Sequence, residues 1–227
     1  MEKTLNTSEK FFLLAHHPEK GRLVIPGQHF RYGLAGAILL DLSLDGRIGM
    51  ENGRVTPKPG NAPAEPVKSE VIQMITDSSR PRSAGYWVRK LEFRYSRYIK
   101  QIHTGLAGKR LLRIEETRFL GFIPWRRTFL TESYTRDNLI RKLRNDILAY
   151  RGDAGESSAL AGLVEACRMR RILSTDREEL KMIRSQMKSI LKDSPVSDAV
   201  AQTIRQVQAA IIASVTTSVA AASAGNH

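Results

Sequence analysis

Apolar residues recur every three or four positions along most of this chain, which is the spacing of helices that bury one face. The pattern predicts helices over 8–16, 29–44 and 89–107, another beginning after Ser69, and helices throughout the C-terminal half. The stripes expected to face the core are Leu34, Ala37, Ile38 and Leu42; Leu91, Tyr95, Tyr98, Ile102 and Leu106; Leu139, Leu143 and Ile147; Leu160, Leu163, Val164 and Cys167; Leu180, Ile183, Met187, Ile190 and Leu191; and Val200, Ile204, Val207, Ile211 and Val215.

Local signals mark one helix start and two hairpins. Asn6 and Glu9 approximate a capping box before the first helix. The dipeptide Asn52-Gly53 predicts a tight hairpin over 47–56, because both residues tolerate positive φ angles. A second hairpin is predicted over 111–131, with the apolar run 119–127 as its exposed tip or loop.

These elements predict a mainly α fold: a single compact helical domain over 1–227 with small β-hairpins and a frayed C-terminal tail over about 220–227. The N-terminus has no basic region followed by a long apolar run, as a signal peptide would have. The apolar-leaning stretch 209–222 contains four Ser and Thr residues and is shorter than the ~20 residues that span a bilayer. We therefore expect a cytoplasmic, peripherally membrane-associated protein.

Positive charge is concentrated in the middle of the chain. The net charge is +13, and residues 81–151 contain 17 Lys and Arg against six Asp and Glu, a net charge of +11. The segments on either side are close to neutral. A field this localised is typical of a protein that attracts an anionic partner.

No residue arrangement in the sequence is typical of an enzyme. The chain has no phosphate-binding glycine loop, GxSxG, HExxH or paired CxxC motif. Asp41 and Asp45 are interpreted as a surface pair at a helix end, and Cys167 as a buried, inert thiol. We expect a non-enzymatic protein with no catalytic residue, no metal and no cofactor.

Two groups of residues are the candidate binding sites. Arg94, Arg97 and Lys100 recur every three residues, so they lie along one side of the predicted helix and are expected to bind an anionic headgroup. The second group is the tip of the later hairpin, where aromatic and apolar side chains adjoin paired arginines. It is expected to contact a membrane or another subunit and comprises Phe122, Ile123, Trp125, Arg126 and Arg127.

The segment Gly33–Ile48, GLAGAILLDLSLDGRI, resembles the signature of the Golgi phosphoprotein 3 family. The resemblance extends over about 5–215 and includes Trp87 and the Gly108–Leu112 segment. It implies a mostly helical peripheral membrane protein that binds phosphatidylinositol 4-phosphate, of the compact bacterial type. Eukaryotic members also recognise the cytoplasmic tails of Golgi glycosyltransferases.

The resemblance also implies a lipid pocket formed by a Trp and an Arg near the start of the second helix and two basic residues on the later helix. This chain has Ala35 at the Arg position, no Trp near Pro26, and Ser96 and Ile99 at the two later positions. Arg97 and Lys100 follow those two by one residue, about 100° around a helix.

An anionic membrane surface, containing phosphoinositide or another acidic lipid, is thus the expected partner. A homo-oligomer formed through the 119–131 hairpin and a protein cargo are further expectations. The first alternative is a winged-helix-like nucleic-acid-binding protein, since a helix followed by a hairpin occurs twice. The predicted helix over 29–44 lacks a polar row for reading bases, and this disfavours nucleic-acid binding. The other alternative is an interaction scaffold without a small ligand.

Overall fold

Helices dominate the structure, a computed structural model that describes residues 4–119, 123–131, 133–149, 154–193 and 198–224. The mainly α fold class is therefore confirmed. The helices are α1 (Thr7–Ala15), α2 (Gly27–Leu44), α3 (Pro66–Thr76), α4 (Ala84–Phe93), α5 (Tyr95–Gly108), α6 (Ser133–Leu148), α7 (Ala154–Ala166), α8 (Arg177–Asp193) and α9 (Asp198–Ala224), with a 3-10 helix at Arg170–Ile172. The strands are β1 (Ile48–Glu51), β2 (Arg54–Pro57), β3 (Leu112–Phe119) and β4 (Ile123–Leu130).

Helix α1 begins with the predicted capping box. The Asn6 side chain accepts the backbone N–H of Glu9, and the Glu9 carboxylate accepts the backbone N–H of Asn6 at 3.1 Å. Lys109, which follows α5, lies 2.6 Å from the Glu9 carboxylate. The cap therefore also ties the end of α5 to the start of α1.

Helix α2 is the centre of the fold and is buried on more than the one predicted face. Every residue from Gly33 to Ser43 is buried, and α2 contacts α1, α4, α7 and α9. Two glycines permit the closest approaches. A Cβ at Gly33 would overlap the ring of Phe11, and one at Gly36 would lie 2.5 Å from Cδ1 of Ile211.

Asp41 is part of this buried helix, so its interpretation as a surface residue is wrong. Its side chain is 3% exposed and accepts the backbone N–H groups of Thr7 at 2.6 Å and Ser8 at 3.0 Å. These two groups belong to the first turn of α1, which has no carbonyl partners for them within the helix. Asp45 is exposed, as predicted, and pairs with Lys68 at 2.7 Å.

The helix predicted over 89–107 is divided in two, which corrects the sequence prediction. Helix α4 ends at Phe93 and α5 begins at Tyr95, with Arg94 between them at φ −97° and ψ 13°. Helix α4 packs on α2 and α9, whereas α5 contacts α1, α3 and β3. Tertiary packing sets this break, since no Gly or Pro occurs at the junction.

Both hairpins form, and the strands of the second extend further toward the tip than predicted. Asn52 and Gly53 have φ angles of 51° and 71°, as a type I′ turn requires. Strands β3 and β4 pair in register from Leu112 opposite Leu130 to Phe119 opposite Ile123. Much of the 119–127 segment predicted as a loop or tip is therefore strand, because cross-strand pairing satisfies its backbone polar groups.

The described side chains of the C-terminal stripes are buried or half-buried, as predicted, and that of Leu191 lies outside the described features. Leu143, Ile147, Ile183 and Met187 are among the buried members, and the central stripe of α9 is buried from Ile204 to Val215. Helix α9 continues to Ala224, beyond the residue at which the sequence predicts fraying. One continuous hydrophobic cluster contains side chains from α1 through α9.

Replacing Asp41 with Asn should lower the free energy of unfolding by roughly 1–3 kcal/mol, because an amide offers one acceptor oxygen and leaves one buried N–H facing another donor. Asp45→Asn is the matched control. It should cost less than about 1 kcal/mol, since Asp45 itself is exposed and the buried Lys68 keeps Glu65 at 2.7 Å. Urea unfolding at pH 7 measures both, and equal losses would contradict the role of Asp41.

Candidate functional site

The three cations of the predicted basic row have two different surroundings. Nε of Arg97 lies 2.8 Å from Oε2 of Glu70 on α3, and Nη1 of Arg94 lies 3.5 Å from Oε1 of the same carboxylate. The Glu70 side chain is 16% exposed. Arg94 and Arg97 therefore balance a partly buried carboxylate between α3 and α5.

Lys100, about 60° around α5 from Arg97, is instead exposed at the edge of a cavity of about 370 Å³. Ser96 and Ile99, the positions at which the family resemblance implies basic ligands, line the same cavity. The complete lining is His16, Gly21, Arg22, Leu23, Phe30, Tyr95, Ser96, Ile99, Lys100, His103 and Thr128. We call this space the α5 cavity.

Ala35 does not line the α5 cavity and is 3% exposed in the core. A cation stands one helical turn earlier on the same face of α2, where Nε of Arg31 lies 3.4 Å from Oε1 of Glu92. The start of α2 therefore carries a surface arginine, although at a different position from the one the resemblance implies.

The opposite wall of the α5 cavity is a short hairpin-like loop. His16 and Leu23 form an antiparallel bridge, the N–H of His17 donates to the carbonyl of Arg22 at 2.8 Å, and the N–H of Val24 donates to that of Ala15 at 2.9 Å. Gly21 has a φ of +57°, and a Cβ there would lie 2.9 Å from the Phe129 ring. We call residues 16–25 the α1–α2 loop.

The imidazole of His16 is neutral in the wall of this cavity. Its Nδ1 lies 2.8 Å from the carbonyl oxygen of Phe12, and its ring stacks on that of Phe12 at 4.0 Å. Burial lowers the pKa of His16 to about 4. The positive charge at the cavity is thus supplied by Arg22 and Lys100, which are both exposed and have no ion-pair partner among the described residues.

An exposed aromatic residue stands at the α4–α5 junction, which the sequence interpretation missed. Phe93 is 90% exposed and shares a shallow surface depression with Tyr86, Arg89, Lys90 and Arg94. The spacing in the sequence indicates this exposure. Phe93 follows the buried Leu91 by two residues, about 200° around a helix, which places it on the face opposite the core.

The second predicted site, at the later hairpin, falls partly outside the described residues. Phe122 is not described, and Ile123, Trp125 and Arg126 lie on β4, where the described features are backbone ones. Trp125 pairs with Thr117 across the hairpin, and the exposed Arg127 pairs with Glu115. Contact of this hairpin with a membrane or another subunit stays a prediction.

Within the described residues, no group of three or more metal-ligating side chains occurs. Cys167 is buried, as predicted, and burial raises the pKa of its thiol. Its Sγ lies 3.5 Å from the carbonyl oxygen of His29. The cysteine therefore has a packing role at the contact between α2 and the end of α7.

The family model of Golgi phosphoprotein 3 (GPP34) matches residues 8–207. The chain belongs to the Golgi phosphoprotein 3 family. The resemblance of the 33–48 segment is thereby confirmed over most of the sequence. No curated protein shows a significant match to the chain. In the described part of the molecule, no helix is both long and apolar enough to cross a bilayer.

His16 should make the stability of the protein depend on pH. In the unfolded chain His16 takes up a proton below about pH 6.5, whereas in the folded protein the ring stays neutral down to about pH 4. The stability that neutral His16 contributes is therefore fully present above about pH 6.5 and is lost as the pH falls toward 4. A His16→Gln variant should be less stable at about pH 7.5, and the deficit should shrink by about 2 kcal/mol by about pH 5.

Comparison with the wild type is essential here because Asp41 acts in the opposite direction. Burial raises the pKa of Asp41 to about 6, so its contribution grows as the pH falls through that value. The wild type and the His16→Gln variant share this contribution of Asp41, so the difference between their free energies of unfolding isolates the contribution of His16. Urea unfolding at the two pH values provides the measurement, and a constant deficit would contradict the prediction.

Proposed function

We propose that this protein is a peripheral membrane protein that binds anionic lipid headgroups on the cytoplasmic side of a membrane, with phosphatidylinositol 4-phosphate as the lipid that the family resemblance implies. The headgroup enters the α5 cavity. The observation that carries this proposal is the pair of exposed cations at that cavity, Arg22 on one wall and Lys100 on the other.

The lining suits a phosphorylated sugar-like ring. A phosphomonoester carries close to two negative charges and several acceptor oxygens, which the fork of Arg22 and the ammonium group of Lys100 can share. Hydroxyl groups of Ser96 and Thr128 lie in the same lining and can bond ring hydroxyls. The aromatic side chains of Phe30 and Tyr95 provide an apolar surface for the ring face.

Contact with the bilayer itself is provided by the patch around Phe93. Inserting this side chain contributes ~1.5–3 kcal/mol, and each cation near an anionic leaflet adds ~1 kcal/mol. Arg89, Lys90 and Arg94 surround it. Phe93 is two residues from Tyr95 of the α5 cavity, so the patch and the cavity are connected through the α4–α5 junction.

Lys100 of the predicted row contributes to this proposal through direct contact. Arg94 and Arg97 contribute only the one positive charge that Glu70 leaves unbalanced. The later hairpin supplies a second contact, either with the membrane or with another copy of the chain. A protein cargo is a further proposed partner.

Reversing the two cavity cations in an Arg22→Glu/Lys100→Glu variant should weaken binding to vesicles of phosphatidylcholine containing phosphatidylinositol 4-phosphate by at least about tenfold. Vesicle flotation over a range of lipid concentrations measures this. Arg184→Glu/Lys188→Glu is the matched control, because both residues are exposed on α8 and the change in net charge is the same.

The control separates a site from a general charge effect. The α8 variant should keep most of its binding, and vesicles of phosphatidylcholine alone should bind none of the proteins. An equal loss in the two variants would show that net charge alone matters and would contradict the cavity as the headgroup site.

Replacing Phe93 with Ser should weaken the same vesicle binding by about tenfold or more, because the inserted apolar surface is lost. The thermal midpoint should change little, since the side chain is already in water in the unbound protein. Met182→Ser, at a residue 56% exposed on α8, is the control. Unchanged vesicle binding by Phe93→Ser would remove the patch from the proposal.

A further inference from the structure

A second cavity lies on the other side of the α1–α2 loop and is lined by three arginines. Its volume is about 450 Å³, within the range of small-molecule sites. Arg136 comes from α6, and Arg168 and Arg171 come from the segment after α7. His17 completes its polar side, so three separate parts of the chain direct basic groups to one space.

Arg136 is the unusual member because its guanidinium is buried with little to balance it. The residue is 8% exposed. Nη2 donates to the carbonyl of Leu14 at 3.3 Å, and Nη1 stands 4.0 Å from the Asp137 carboxylate, beyond hydrogen-bond distance. Among the described residues, Nε has no hydrogen-bond partner. In the described part of the chain, no counterion lies within hydrogen-bond distance of this buried guanidinium. Such an arrangement is costly, so an anionic partner is expected.

The other polar groups strengthen this expectation. Arg168 and Arg171 are exposed, and Arg168 has a φ of +57°, a conformation that usually selects glycine. Nδ1 of His17 accepts the backbone N–H groups of Glu19 at 3.1 Å and Lys20 at 3.2 Å. The ring proton of neutral His17 is therefore on Nε2, which leaves a donor rather than an acceptor for a ligand.

We propose that this cavity, formed by Arg136, Arg168, Arg171 and His17, binds a phosphomonoester. Three cations exceed what one carboxylate can balance, whereas a phosphomonoester brings nearly two charges and several acceptor oxygens. The remaining walls include Val24, Ile25 and Ile172, so the group esterified to the phosphate is apolar or presents a flat face. The proposal is independent of the α5 cavity and of vesicle binding through it.

Isothermal titration calorimetry with inorganic phosphate, phenyl phosphate and benzoate tests the chemistry. Phenyl phosphate should bind most tightly, since it offers both the doubly charged group and an apolar ring. Benzoate, with one charge, should bind most weakly. Preference for benzoate over both phosphates would overturn the proposal.

Three variants locate the binding. Arg168→Gln and Arg171→Gln alter exposed side chains and should each weaken phenyl phosphate binding by about tenfold or more. Arg136→Met should abolish it, yet the unliganded protein should be as stable as the wild type or more so, because an unbalanced buried charge is removed. A folded Arg136→Met variant that binds phenyl phosphate with wild-type affinity would refute the site.

The Arg22→Glu/Lys100→Glu variant distinguishes this cavity from the α5 cavity. It should bind phenyl phosphate as tightly as the wild type does, whereas Arg171→Gln should bind it more weakly. Weakened binding by the Arg22→Glu/Lys100→Glu variant together with unchanged binding by Arg171→Gln would assign the phosphate to the α5 cavity and overturn the inference. Flotation of Arg171→Gln with phosphatidylinositol 4-phosphate vesicles then identifies the source of the ligand. Weakened flotation indicates a lipid headgroup, and unchanged flotation indicates a soluble phosphate ester.

Discussion

The burial of helix α2 is the constraint on which the rest of the molecule depends. Its glycines let α1 and α9 pack at close range, and the Asp41 carboxylate holds the first turn of α1 through two short hydrogen bonds. The same burial removes α2 from any role as a recognition helix in a nucleic-acid groove, because it presents no exposed row of polar side chains. The amino-terminal end of α2 lies beside both cavities. Phe30 lines the α5 cavity, and His29 contacts Cys167 just before the arginines of the second cavity.

The α1–α2 loop is a wall shared by both cavities. Its two arms pair through His16 and Leu23, and residues next to each other in an extended segment point to opposite sides. His16 and Leu23 accordingly line the α5 cavity, whereas their neighbours His17 and Val24 line the arginine cavity. Gly21 fits this loop against Phe129 of β4. The position of this one loop therefore sets the shape of both cavities.

Local features of the fold were predictable from sequence, and the features that define the sites were not. The capping box at Asn6 and the turn at Asn52-Gly53 depend on neighbouring residues alone, and the apolar stripes depend on helical spacing. By contrast, the break at Arg94 depends on the different partners of α4 and α5. The polar role of Asp41 depends on a helix start 34 positions away. The arginine cavity joins His17, Arg136 and Arg171, which no local pattern connects. The family resemblance implied that α5 is the ligand-binding helix, but the direction of each side chain required the structure.

The structure also changes what the charge of the middle segment means. A net charge of +11 over residues 81–151 predicts a strong anionic partner only if the cations face solvent. Several of them are instead paired within the protein: Arg97 with Glu70, Lys109 with Glu9, and Arg144 with Glu179. These pairs fasten α5 to α3 and α1, and α6 to α8, so their charge is largely balanced. Lys100 at one cavity and Arg89 and Lys90 beside Phe93 keep their charge available, while the arginine cavity includes Arg168 and Arg171 from outside the segment. The cations available to an anionic ligand are therefore those at a few positions where distant parts of the chain converge, and the total charge is a poor guide to them.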